Sequence, residues 1–94
     1  MKSEKINSFD AFIQAINQLH VVYSVQGVKY SGIFATRNEI TGLRESTHKG
    51  FSIKSQSLYQ AYQDLDISNL TTAALKPYVD RVQSPSLAIL KALI

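Results

Sequence analysis

The chain has 94 residues and a mass of 10.5 kDa, enough for one domain and little more. Its 45% hydrophobic and 18% charged residues exclude a disordered tail and supply a small core, whose radius of gyration should be roughly 12 Å. The net charge is +3, and the absence of Cys excludes disulfides, thiolate metal sites and a Cys nucleophile.

No apolar run approaches the ~18 residues of a membrane-spanning helix. The first five residues carry charge with no apolar stretch behind them, so no signal peptide is expected, and a cytoplasmic location is the expectation. Residues 1–94 are expected to form a single domain, with an excised piece of a longer chain left open. The excess charge is not spread evenly. Residues 1–20 and 61–94 are each neutral, whereas residues 21–60 carry Lys29, Arg37, Arg44, Lys49 and Lys54 against Glu39 and Glu45. A basic middle between neutral flanks is a footprint for polyanions, and equally an ordinary aid to solubility.

Phe9, Phe12, Ile13, Ile16 and Leu19 recur at helical spacing and predict a helix over residues 8–19. Asn7 or Ser8 would cap it, and Asp10 complements the positive end of its dipole. The period then changes. Val21–Val25 and Val28–Phe34 read as two strands around a tight turn at Gln26-Gly27. Val28, Tyr30 and Phe34 share one parity, and Gly32 inside the run predicts a bend or bulge. Turns at residues 36–39 and 47–50 separate a third strand over 40–45 from a short fourth strand over 51–54.

Helical spacing returns with Leu58, Ala61, Tyr62 and Leu65, capped by Ser55 or Ser57, and stops at residues 66–69. A second stretch places Leu75, Tyr78, Val79 and Val82 inward. Pro77 divides it into a short turn and a helix from about residue 77. Ser84-Pro85 signals the start of a last helix that is almost wholly apolar from Leu87 to Ile94. Consecutive strands with short turns must pair antiparallel. The fold class is therefore α+β: a small antiparallel sheet of three to four strands over about 21–54, preceded by one helix and followed by two to three.

Most catalytic patterns fail on context. Ser46-Thr47-His48-Lys49 fits the S-x-x-K of acyl enzymes but falls in a hairpin turn without its companion motifs. Gly27 and Gly32 have phosphate-loop spacing, yet Ile33 and Phe34 stand where Lys and Ser/Thr would act. His20 and His48 lie far apart with no convergent carboxylates, and Asp64 and Asp66 read as solvated helix-end residues. Neither an enzyme activity nor a metal or cofactor is expected.

Two features remain. If Val28, Tyr30, Phe34, Leu43, Phe51 and Ile53 face the core, then Lys29, Ser31, Arg44, Ser52 and Lys54 face solvent together. Arg37, Asn38, His48 and Lys49 stand in the flanking turns. Such a surface suits phosphate contacts, and Arg37-Asn38 adds side chains able to read base edges. The nucleic-acid set is therefore Lys29, Arg37, Asn38, Arg44, His48, Lys49 and Lys54. The second feature is the last helix. Leu87, Leu90, Leu93 and Ile94 either pack across this domain's own sheet or meet a second copy or a partner subunit.

Residues 23–32, with Gly27 and Gly32, resemble the first motif of Sm-like RNA-binding proteins, which also place a helix before the sheet. Their second motif, an aromatic-Lys-His run, is replaced here by Ile53-Lys54-Ser55, and three helices after the sheet are foreign to that family. The strand order with Tyr30, Arg44, Phe51 and Tyr62 is similar to three-stranded DNA-binding modules of the integrase arm-binding type. Both resemblances imply nucleic acid. The expected function is thus non-enzymatic nucleic-acid binding, duplex DNA before RNA, with protein interaction or homodimerisation as the alternative.

Overall fold

The computed structural model describes Ile6 and residues 8–93. The described elements are α1 (Phe9–Asn17), β1 (Val22–Tyr23), β2 (Lys29–Ala35), β3 (Glu39–Arg44), β4 (Lys49–Lys54), α2 (Ser55–Asp64), a 3-10 turn (Ile67–Asn69), α3 (Thr72–Leu75) and α4 (Gln83–Ala92). The strands form an antiparallel meander in the order β1-β2-β3-β4. This is the α+β fold that the change of period announced, and its radius of gyration is 12.0 Å.

Each helix starts for a local reason. The Ser8 hydroxyl accepts the Ala11 N–H and Asp10 lies in the first turn, so α1 opens with one amide satisfied and a favourable charge. Asn7, the other candidate cap, lies outside the described residues. Phe12 and Ile16 are fully buried on the inner stripe of α1. Helix α2 grows straight out of β4, and Ser55 is its first residue rather than its cap. The buried Ser55 hydroxyl donates to the Thr36 carbonyl at 2.6 Å, and its N–H donates to the Asn38 carbonyl at 3.2 Å. These bonds seat the β2–β3 turn on the start of α2. Phe12 meets Tyr59 and Tyr62 with ring centroids 5.0 and 5.3 Å apart, which locks α1 against α2.

No helix forms over residues 77–82, contrary to the periodicity. The Tyr78 and Val79 amides both donate to the Leu75 carbonyl, and Arg81 turns the chain with φ +73°. Helix α4 then starts at Gln83, three residues before Ser86, and Pro85 sits in its first turn, where no intrahelical N–H is missed. Ala88, Ile89 and Leu90 are buried against the rest of the domain.

Strand β2 contains the expected bulge. Ser31 pairs with Leu43, but Phe34 pairs with Thr41, so one extra residue sits on β2. Gly32 takes φ +61°, a conformation costing an L side chain ~1–2 kcal/mol. The displaced Ile33 N–H donates to the His20 carbonyl at 3.2 Å. The extra residue also reverses the alternation. Tyr30, Ile33 and Ala35 point into the core, and Phe34 points out at 59% exposure. The expected inward position of Phe34 is therefore corrected. Asn17 secures the end of this strand: its Oδ1 accepts the Ala35 N–H at 2.7 Å, and its Nδ2 donates to the Ala35 carbonyl at 2.9 Å.

Ile40 and Ile53 face each other on the core side and are fully buried. Gly42 follows on that side, where a Cβ would stand 2.6 Å from the Phe51 ring and 3.0 Å from Ile33. The Phe51 ring occupies the space above Gly42 and meets Tyr30 edge-on at 5.6 Å. Helices α1, α2 and α4 pack against the strands. The opposite side, where Phe34, Ser52 and Lys54 are exposed, is the open side of the sheet.

Candidate nucleic-acid interface

Six-residue strands span ~20 Å, and the seven candidate residues fall at both ends of that length. Lys29, Arg44, His48 and Lys49 gather at the end formed by the β3–β4 turn. Arg37, Asn38 and Lys54 gather at the end formed by the β2–β3 turn. They do not form one continuous patch.

They do not share one face either. Paired residues project to the same side of a sheet. Tyr30 pairs with Arg44, and Arg44 with Lys49, so both cations have the parity of the core side and stand exposed at its rim. Ile40 sets this alternation, which puts Leu43 rather than Arg44 with the open side. Lys29 and Lys54 do lie on the open side, with Ser31, Thr41, Leu43 and Ser52.

Electrostatics separates the two ends further. Arg37 lies 2.7 Å from the Asp10 carboxylate and stands over the Phe9 ring at 5.8 Å, an exposed pairing. It is the one ion pair among the described residues. On the open side Lys54 pairs across the strands with Glu39, and the Lys29 carbonyl accepts the Glu45 amide. The Glu39 carboxylate accepts the Ser52 hydroxyl at 2.6 Å, and the Glu45 carboxylate accepts the Ser31 hydroxyl. Two lysines and two carboxylates leave that side without net charge. At the other rim, Arg44 and Lys49 stand directly opposite each other, both exposed and without an ion pair among the described residues. His48 is the last residue of the turn before β4 and takes φ +55°.

The open side also carries rings that the alternation rule had assigned elsewhere or left unassigned. Phe34 is 59% exposed and Tyr23, opposite Lys29 in the β1–β2 pair, is 61% exposed. The signal for Phe34 was Gly32: a bulge read in the strand entails a swap of faces after it.

The apolar candidates on the last helix are placed differently from one another. Leu90 is fully buried in this domain's own core, and Leu87 and Leu93 are half-buried against it. Ile94 lies outside the described residues. A cavity of about 270 Å³ opens between the β1–β2 turn, the start of α3 and α4, lined by Tyr23, Thr71, Ser84, Leu87 and Lys91 among others. No group of three or more metal-ligating side chains occurs among the described residues, and no described helix is long and apolar enough to cross a membrane. Comparison with protein-family models, with curated proteins and with solved structures gave no match for the chain.

Proposed function

We propose that the domain is a non-catalytic nucleic-acid-binding module that takes phosphates at the β3–β4 end of its sheet. The observation that carries this is the Arg44–Lys49 pair. Like charges directly opposite across two strands destabilise the sheet. Here they are kept with no carboxylate paired to either among the described residues. An anion between them removes the repulsion and gains two charge-assisted hydrogen bonds. Lys29 adds a third cation at the same end, and His48 a ring at the turn.

Binding through Lys29, Arg44 and Lys49 gives a slope of log K against log salt of about −2.7 on duplex DNA and about −2.1 on single strands. Anisotropy titrations of a labelled random-sequence oligonucleotide at several salt concentrations measure it. Arg44→Ala should reduce the slope by about one. An affinity that does not change with salt, or a slope that Arg44→Ala leaves alone, refutes the proposal.

A further inference from the structure

We infer that the outer edge of β4 is a docking site for an extended peptide, which adds a strand to the sheet and carries an acidic residue opposite Lys49. The inference goes beyond the nucleic-acid reading and does not rest on it: backbone amides hold the peptide, and the cations select its sign.

The two edges of the sheet are finished differently. Along β2, Asn17 holds both the N–H and the carbonyl of Ala35, and the His20 carbonyl takes the Ile33 N–H. Along β4 no described residue makes such a bond. Ladder alternation fixes which groups are left over. The Ser55 N–H donates to the Asn38 carbonyl, so these two form a hydrogen-bonded pair. Counting back through the register, Ile53, Phe51 and Lys49 turn their amides to β3, while Gly50, Ser52 and Lys54 turn theirs away. The β2–β3 ladder agrees, because the Glu45 N–H donates to Lys29, which aims Leu43 at β2 and Arg44 at β4. Gly50, Ser52 and Lys54 are exposed. Their N–H groups, and the carbonyls of Gly50 and Ser52, have no partner among the described residues. Such a row is a template for another strand.

The charge of the edge selects that strand. β4 carries Lys49 and Lys54 and no carboxylate. Lysine is an ordinary guard of an edge, and it guards against strands of its own sign. A second copy would set the lysines of two β4 strands along one seam, so self-pairing is opposed. Glu39 answers Lys54 from β3, but Lys49 has Arg44 there. A carboxylate on an added strand opposite Lys49 extends that row with the sign it lacks. Phe51, on the same side of β4, is half-buried, and an aliphatic side chain opposite it covers the rest of the ring. The peptide is therefore extended, with an acidic residue two positions from an aliphatic one. A nucleic acid has no row of amides to offer these groups.

The test titrates the whole chain by anisotropy into a labelled, end-capped peptide of about eight residues, alternating valine and threonine with one valine replaced by glutamate. Hydrogen exchange at Gly50, Ser52 and Lys54 should slow when the peptide binds. Methylating the peptide's backbone nitrogens removes its donors and should abolish binding. Lysine in place of the glutamate should weaken binding about tenfold, and Lys49→Glu should restore it for that lysine peptide. Ser52→Pro removes an outward N–H without taking a bond from β3 and should abolish binding, whereas Ser52→Ala should keep it. Methylation leaves the protein unchanged, so it decides the matter even where the proline variant does not fold. Oligonucleotide binding should be the same in Ser52→Ala and wild type, so the two readings fail separately. Binding that survives methylation, or amides that exchange as fast with the peptide as without it, overturns the inference. Protection of the same amides that rises with protein concentration alone assigns the edge to a second copy and overturns it too.

Discussion

The two ends of the β3–β4 hairpin carry similar side chains and do different work. At the β2–β3 end, Arg37 is held by Asp10 and Phe9, and the turn backbone is held by Ser55. Lys54 there faces Glu39. At the β3–β4 end, Arg44 and Lys49 face each other with no ion pair to either among the described residues. Arg37 has an ion-pair partner within the fold and Lys54 a carboxylate opposite it, whereas Arg44 and Lys49 have like charge opposite them, an arrangement that costs a sheet stability. The basic residues in the middle of the chain therefore differ in how far the fold itself already pairs them.

Four measurements can break or sharpen this contrast. Reversing the free end with Arg44→Glu plus Lys49→Glu should weaken oligonucleotide binding by about two orders of magnitude at low salt. The contrast fails if that variant binds normally. At the anchored end, Asn17→Ala strands the N–H and carbonyl of the buried Ala35 and should cost about 2 kcal/mol in denaturant melts, with binding unchanged in the folded protein. Arg44→Glu alone converts a like pair into an opposite one and should raise stability by about 0.5 kcal/mol while lowering affinity. A loss of stability would show that Arg44 has a structural partner instead. Arg37→Ala should change both by little, under about 1 kcal/mol in stability and under about twofold in binding, because its ion pair is exposed.

A smaller effect lies outside the hairpin, at the 3-10 turn. The Asn69 side chain, then the Ser68 hydroxyl and amide, hold the Asp66 carboxyl below its usual range. A depressed folded value contributes stability above the ordinary carboxylate range and loses it as pH falls through the lowered value. Wild type and Asp66→Asn should therefore differ in melting temperature at neutral pH and converge in acid. The group is fully exposed, so the difference is slight.

The order of helix, four strands and further helices was legible because periods of 3.6 and 2 alternate cleanly along the chain. The faces of the sheet were only partly legible. Gly32 was recognisable as a bulge, but the bulge also exchanges Ile33 and Phe34 between the faces. In β3 both Ile40 and Leu43 are apolar and of opposite parity. Gly42 decides between them, and it carries no side chain to announce its core position under Phe51. The capture of Arg37 by Asp10 joins residues 27 positions apart through the packing of α1, which no local pattern encodes. Leu90 and its neighbours were legible as apolar but not as self-satisfied, since that depends on the cover α4 finds against β1 and α3.

Gly32 makes one torsion angle the master of half a strand. A β-branched replacement there strains φ +61°, yet an unbroken ladder would wet Ile33, drive Phe34 inward and strand the Ala35 amide and carbonyl that Asn17 satisfies. Such a variant therefore keeps the bulge and carries its strain as lost stability.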